Sequence, residues 1–548
     1  MKKNLNEIID LKKLLLIVTL LIIFIHSFNI FQLKKGYFLD ETATFFYTNC
    51  KAISIPEAID AIKNHTVNEY SAKLWDTFIG GHEYKTYDEA MDRYTVNSQN
   101  RFDYLNVYVL TAMDVHPPLY YDVLKTICSL FPKLDIMIAG FVVNIAFLLL
   151  TCLFIYKIGL IIFDKQYLLA LIPTLYYGLS FDFVNNATFY RMYAMLTFWF
   201  VILLYYSLQW AHNDCKEDKK IYRKICIIEF LAMLTQYFAL FFILPIFILN
   251  MILLKKNNRN IWTPLKYNIV TGVIYFVIWP FSIKHMLFSN RGADVRNNLS
   301  TFTFIQKLFD YCDSVKRSVF AYSRVYAICF IVVAVIFISY RLIMHFVVNK
   351  DCKEWVGTKH FIDLLYIVVS AAVYFLLAGT AAPWNSDRYL MPVIPVFCII
   401  VTYILISICS IFIKNRRIVF AVMSLFVLIV TLRWHFKMEP SYLYNDKDRI
   451  EFCKKYSNTD AIIISGRYEV VVSEIHLNYK HLSYFSRTED NYTDVFDYMK
   501  DGKSYILYLG KRSDSEKIID ALEDKNIKVQ NLSYETDFYY TYKINKLK

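Results

Sequence analysis

What the chain does without narrows it first. Its eleven cysteines are scattered, with no CxxC, no paired spacing and no His/Cys cluster, so neither a disulfide scaffold nor a zinc site is implied. No GxGxxG and no Walker pattern accompanies the apolar runs, which removes the common phosphate-cradling loops of nucleotide enzymes. There is no internal repeat and no low-complexity linker. The first apolar run, Leu14 to Leu33, is followed by no small-residue cleavage site and is long enough to span, so it reads as an anchor and not as a cleaved signal peptide. Charge is scarce inside the long runs, Glu229 being an exception.

What is present is apolar surface. Of 548 residues, 56% are hydrophobic and the mean hydropathy is +0.34, more than a single soluble core could hide. The pattern is that of an α-helical polytopic membrane protein. Eleven crossings are expected, over 14–33, 135–160, 166–183, 191–210, 225–237, 238–254, 266–287, 325–347, 361–381, 389–413 and 418–434. The net charge of +12 does not suggest nucleic acid, because much of the excess lies in short loops where it sets orientation. Lys2, Lys3, Lys12 and Lys13 place the N-terminus in the cytoplasm. The basic loops 215–224, 255–259, 350–359 and 414–417 belong on the same side. Parity then requires 225–254 to cross twice, turning near Gln236-Tyr237, and the short apolar stretch 117–131 not to cross fully.

That topology puts the polar clusters on the outer face. Asp40 and Glu41 are adjacent carboxylates just past the first span; solvated loop charges are the competing reading. His116 precedes Pro117-Pro118, whose rings stiffen the backbone, although helix punctuation alone would explain them. Arg191, followed by Tyr193, stands at the start of a span, as does Arg388, followed by Tyr389. Arginine presents a planar fork of donors to phosphate oxygens, while a snorkelling side chain is the alternative for Arg191 and neutralisation by Asp387 is that for Arg388. Gln236 and Tyr237 suit a polar turn equally well. A base candidate, two cations, a His and several Tyr hydroxyls on one face suit group transfer from a lipid-linked phosphate.

The expected domains are a membrane domain over 1–435, with a first outer loop at 34–115, and a small extracytoplasmic α/β domain over 436–548. Short amphipathic helices are expected near 55–64 and 86–93 of the loop. In the tail, strands are expected at 461–465, 505–509 and 538–544, and helices at 447–455 and 516–524.

Four pieces in order, Leu39-Asp40-Glu41-Thr42-Ala43, His116-Pro117-Pro118-Leu119-Tyr120, Tyr190-Arg191-Met192-Tyr193-Ala194 and Arg388-Tyr389-Leu390-Met391-Pro392, resemble the GT-C membrane glycosyltransferases. The likeness is to the branch of protein O-mannosyltransferases and the lipid A aminoarabinose transferase, and it covers roughly residues 10–435. The resemblance implies a cell-membrane enzyme that takes a sugar from a polyprenyl-phosphate donor to a glycan, lipid or protein acceptor on the outer face. It implies Asp40 as general base with inversion, Glu41 orienting substrate or holding a metal, and Arg191 and Arg388 on the leaving phosphate. No ligand set demands a cofactor, and a divalent cation is left open. Two rivals remain: a lipid-linked sugar flippase or transporter, which would line a polar path through the membrane, and a non-catalytic sensor with an outer domain.

Overall fold

The computed structural model describes residues 2–50, 56, 83–84, 88, 91–213, 215–301, 304–346, 358–465, 484–488, 492–536 and 538–547. The helix expected at 55–64 and most of that at 86–93 lie outside these, as does most of the basic loop 350–359. The chain forms two compact units. One comprises residues 1–32, 115–120 and 140–441; the other comprises 33–114, 121–139 and 442–548.

The first unit is helical. Among the described residues, seven helices are long and apolar enough to cross a membrane, and three bent pairs bring the number to ten. The eleventh expected crossing, 225–237, falls in a helix over Lys219–Thr235. That helix has 17 residues, five of them charged, including Lys219, Lys220, Arg223 and Lys224 in its first turns. It meets Leu240–Lys256 at the Gln236 turn, but it packs chiefly on Tyr193–His212 and Trp262–Ile278, and Leu240–Lys256 on Thr358–Ala381, so the tight hairpin expected over 225–254 is not formed.

Two expected straight spans are bent, and a third bend comes just before the span expected at 325–347. Tyr167–Gly178 and Phe181–Thr188 meet at 55°, where Ser180 caps the second piece by accepting from the Phe183 N–H at 3.1 Å. Trp262–Ile278 and Phe281–Leu287 meet at 90° around Pro280, whose ring and missing N–H cannot continue a helix. The third pair bends by 91° where Ala321 and Tyr322 take positive φ, 48° and 59°.

The second unit holds a six-stranded sheet. Its strands are β1 (Glu83–Tyr84), β2 (Ala461–Ser465), β3 (Tyr484–Thr488), β4 (Ser504–Gly510), β5 (Ile527–Glu535) and β6 (Tyr539–Lys546), in the order β1-β3-β2-β4-β6-β5. β2 runs parallel to both β3 and β4; the other pairs are antiparallel. Alternation divides β2 between two cores. Ala461 and Ile463 pack with Phe452 of the helix Lys447–Tyr456, and Ile462 and Ile464 pack with Ile518 and Leu522 of the helix Ser515–Glu523. Covered on both faces, β2 can be apolar throughout. β1 comes from the first loop and joins the tail's sheet at its edge, so loop and tail share one unit.

Candidate active site

The acidic turn belongs to the second unit. Asp40 and Glu41 open the helix Leu39–Asn49, whose cap residue Phe38 has no side-chain acceptor. Glu41 supplies one by folding back to accept from the Phe38 N–H at 2.6 Å. Its carboxylate also receives Lys34 Nζ at 3.0 and 3.1 Å, and both side chains are completely buried. Lys34 Nζ donates further to the Tyr442 carbonyl at 2.6 Å. Burial pushes the Lys34 ammonium below its ordinary pKa, and the Glu41 charge beside it works against that. Its neighbour Asp40 is only half-buried, in the first turn, where the helix dipole favours a negative charge. Two adjacent carboxylates therefore have different surroundings: one is consumed by an internal ion pair, and the other reaches solvent.

The arginine motifs belong to the first unit. Residues 189–192 interrupt the helix between Phe181–Thr188 and Tyr193–His212. An interruption leaves carbonyls without helical partners. Asn144, fully buried on Ile136–Ile162, donates to two of them, Asn186 O at 3.0 Å and Phe189 O at 2.7 Å. Its own Oδ1 accepts from Tyr120 Oη at 2.9 Å. Gly140, one turn earlier, lies beneath Tyr190: a Cβ there would stand 2.5 Å from the Tyr190 ring.

The result is a fixed loop presenting Arg191, itself 5% exposed. The Arg191 guanidinium bonds His116 Nε2 at 3.1 Å. Guanidinium can only donate, so Nε2 accepts and this geometry calls for a neutral imidazole. The residues His116 to Tyr120 thus pin the loop at two points, through Arg191 and through Asn144.

Arg388 sits in a 3₁₀ turn, Asp387–Tyr389, ahead of the helix Ile394–Phe412. Its guanidinium lies over Trp384 and Tyr389, 5.5 and 5.4 Å from the ring centroids. Asp387 turns to the helix Phe304–Phe320, where it meets Arg317 at 3.1 Å and accepts from Ser314 Oγ. The Tyr389 carbonyl accepts from Tyr374 Oη at 2.9 Å. Tyr193 and Tyr389 meet edge to face at 6.5 Å, which brings the two arginine motifs together, and Phe238 packs on the same Tyr389 at 5.6 Å.

The Gln236-Tyr237 pair has local work. Gln236 Oε1 accepts from the Phe238 N–H and caps a short turn. Tyr237 Oη receives Trp279 Nε1 at 2.8 Å and so donates to His285 Nδ1 at 2.7 Å.

Asn144, Tyr374, Trp384 and Arg291, whose guanidinium lies 5.0 Å from the same Trp384 ring, were not legible as parts of this cluster. Asp122, on the helix Leu119–Leu130 of the second unit, was missed as well; burial raises its carboxyl to about 7. Among the described residues, no group of three or more His, Cys, Asp or Glu side chains is placed to hold a metal ion.

No protein-family model matches the chain, and no curated protein matches it in sequence. Solved structures do match. ArnT from Cupriavidus metallidurans bound to undecaprenyl phosphate superposes with a TM-score of 0.53 at 10% identity, over 96% of this chain and 97% of that one. The chain shares the fold of that protein. The same ArnT in its apo state matches at 11% identity over 89% of this chain and 98% of that one, with a TM-score of 0.48. The match covers nearly the whole of both chains, the terminal α/β region as well as the spans. The chain's own long apolar helices make it a multi-pass membrane protein.

Proposed function

We propose that the protein is an integral membrane glycosyltransferase that uses a polyprenyl-phosphate-linked sugar donor. The observation that carries this reading is the buried Arg191, bonded to His116 and joined through Tyr193 and Tyr389 to the turn of Arg388, in a fold shared with a protein whose solved structure binds undecaprenyl phosphate. Two guanidiniums on one polar cluster match a phosphate's oxygens, and cations held out of bulk water act more strongly on developing charge.

Asp40 takes the proton of the acceptor hydroxyl as its oxygen bonds to the anomeric carbon. The sugar–phosphate C–O bond breaks, its electron pair leaves on the phosphate, and the anomeric configuration inverts. The half-exposed position of Asp40 supports its choice over Glu41, which is committed to Lys34 and to Phe38. The ends of the spans carrying Arg191 and Arg388 face outward, and the N-terminus faces the cytoplasm, as the basic loops require.

The test is transfer by the purified protein from polyprenyl-phosphate sugars. Asp40→Asn is expected to lower turnover by about 10²–10⁴-fold while donor binding persists. Donor that is bound and moved across vesicles without transfer would instead favour a lipid-linked sugar transporter. For topology, a cysteine placed at exposed Arg417 is expected to be protected from an impermeant reagent in intact cells, and one at exposed Glu439 to be labelled. Native Cys215 is fully buried and would be protected on either side.

A further inference from the structure

At the other end of the helix Ile394–Phe412 from Arg388 lies a cleft of about 370 Å³. Nineteen helical residues separate the two places by about 28 Å, close to a bilayer's hydrocarbon thickness. The cleft forms where spans end and begin: Ile162 and Phe163 close one helix, Leu169 lies early in the next, and Ser407 and Ser410 come from the last turns of Ile394–Phe412. Lys414 and Arg416, both exposed, line it together with Asp164, which leaves the lining one net positive charge. Beside them the surface is apolar, with Phe412 81% and Ile411 44% exposed.

We propose that this cleft binds the anionic headgroup of a bilayer phospholipid. The lining has what such a headgroup needs: two cations for the phosphate and hydroxyls for its polar atoms. The apolar residues Ile162, Phe163, Ile406 and Ile413 line it at the end of a membrane span, and that span's last residues, Ile411 and Phe412, are exposed where acyl chains lie. An apolar and basic lining at the end of a membrane span selects a lipid over a soluble phosphate. The cleft shares no lining residue with the Arg191–Arg388 cluster, so the proposal stands whether or not the protein transfers sugars.

Native mass spectrometry of the full-length protein, in micelles carrying equal phosphatidylglycerol and phosphatidylcholine, measures the occupant directly. Wild type is expected to retain phosphatidylglycerol preferentially. The exposed pair Lys414→Glu/Arg416→Glu removes the charge, and Ser410→Trp fills the cleft without changing surface charge. Each is expected to weaken retention by about tenfold, equivalent to about 1.4 kcal/mol. Equal retention of the two lipids overturns the proposal. So does wild-type retention in a Ser410→Trp protein that unfolds at the wild-type temperature, or displacement of the lipid by millimolar inorganic phosphate alone.

Discussion

The helix Ile394–Phe412 has cations beyond both of its ends, held in opposite ways. At one end Arg388 is 8% exposed, stacked on Trp384 and Tyr389, in a turn fixed by Tyr374. At the other, Lys414 and Arg416 are exposed and line a cleft. The orientation rule accounts for the second pair without any partner, because basic loops collect on one side of a membrane. It does not account for Arg388. A cation kept from water needs rings, dipoles or a ligand to offset lost hydration, and the turn around it supplies the rings. The contrast separates a cation packed among rings from cations left exposed, whose side of the membrane the orientation rule explains and whose place at the cleft the lipid proposal uses.

The largest expected effect comes from breaking the packed end. Arg388→Ala is expected to reduce sugar transfer by about 10²–10³-fold, the scale of losing one electrostatic stabiliser. Arg388→Lys should recover only part of it, since an ammonium neither forks nor stacks on Trp384 as guanidinium does. Turnover near wild type in Arg388→Ala would remove Arg388 from the transfer site. Next, Asn144→Ala strips two carbonyls and Tyr120 of their partner and is expected to cost about 1–3 kcal/mol in unfolding free energy, with transfer falling through a displaced Arg191. Gly140→Ala presses on Tyr190 beneath the same loop and should cost a similar amount, about 1–3 kcal/mol, read as a lower unfolding midpoint. Arg317→Ala tests the partly exposed pair with Asp387, and at most about 1 kcal/mol is expected. Smallest of all, Lys414→Glu should leave transfer and stability within about 0.5 kcal/mol of wild type, since it alters only an exposed group.

How much of this was readable depended on the range of each interaction. The spans were legible because a bilayer demands long apolar runs, and the 90° bend at Pro280 had its signal in the sequence. The bend at Ala321-Tyr322 had none, since neither residue type favours positive φ. The arginine motifs could be picked out as charges beside aromatics. Their supports could not: Asn144 and Tyr374 lie inside apolar runs, and they matter through carbonyls 45 and 15 residues away. The resemblance makes Glu41 a partner for substrate or metal. Its commitment to Lys34 follows from burial, which a pair of charges seven residues apart does not reveal.

The bond from Lys34 to the Tyr442 carbonyl spans 408 residues of chain. A ribosome adding about 5–20 residues per second needs roughly 20–80 s to make that stretch. Through all of that time Lys34 and Glu41 are synthesised and the carbonyl is not. The bond to the Tyr442 carbonyl forms only after the last spans are made and the tail begins to emerge. A chain stopped before residue 442 would therefore carry every cationic motif and still lack a finished acidic turn. The terminal region thus supplies the acceptor that finishes the turn at the chain's beginning.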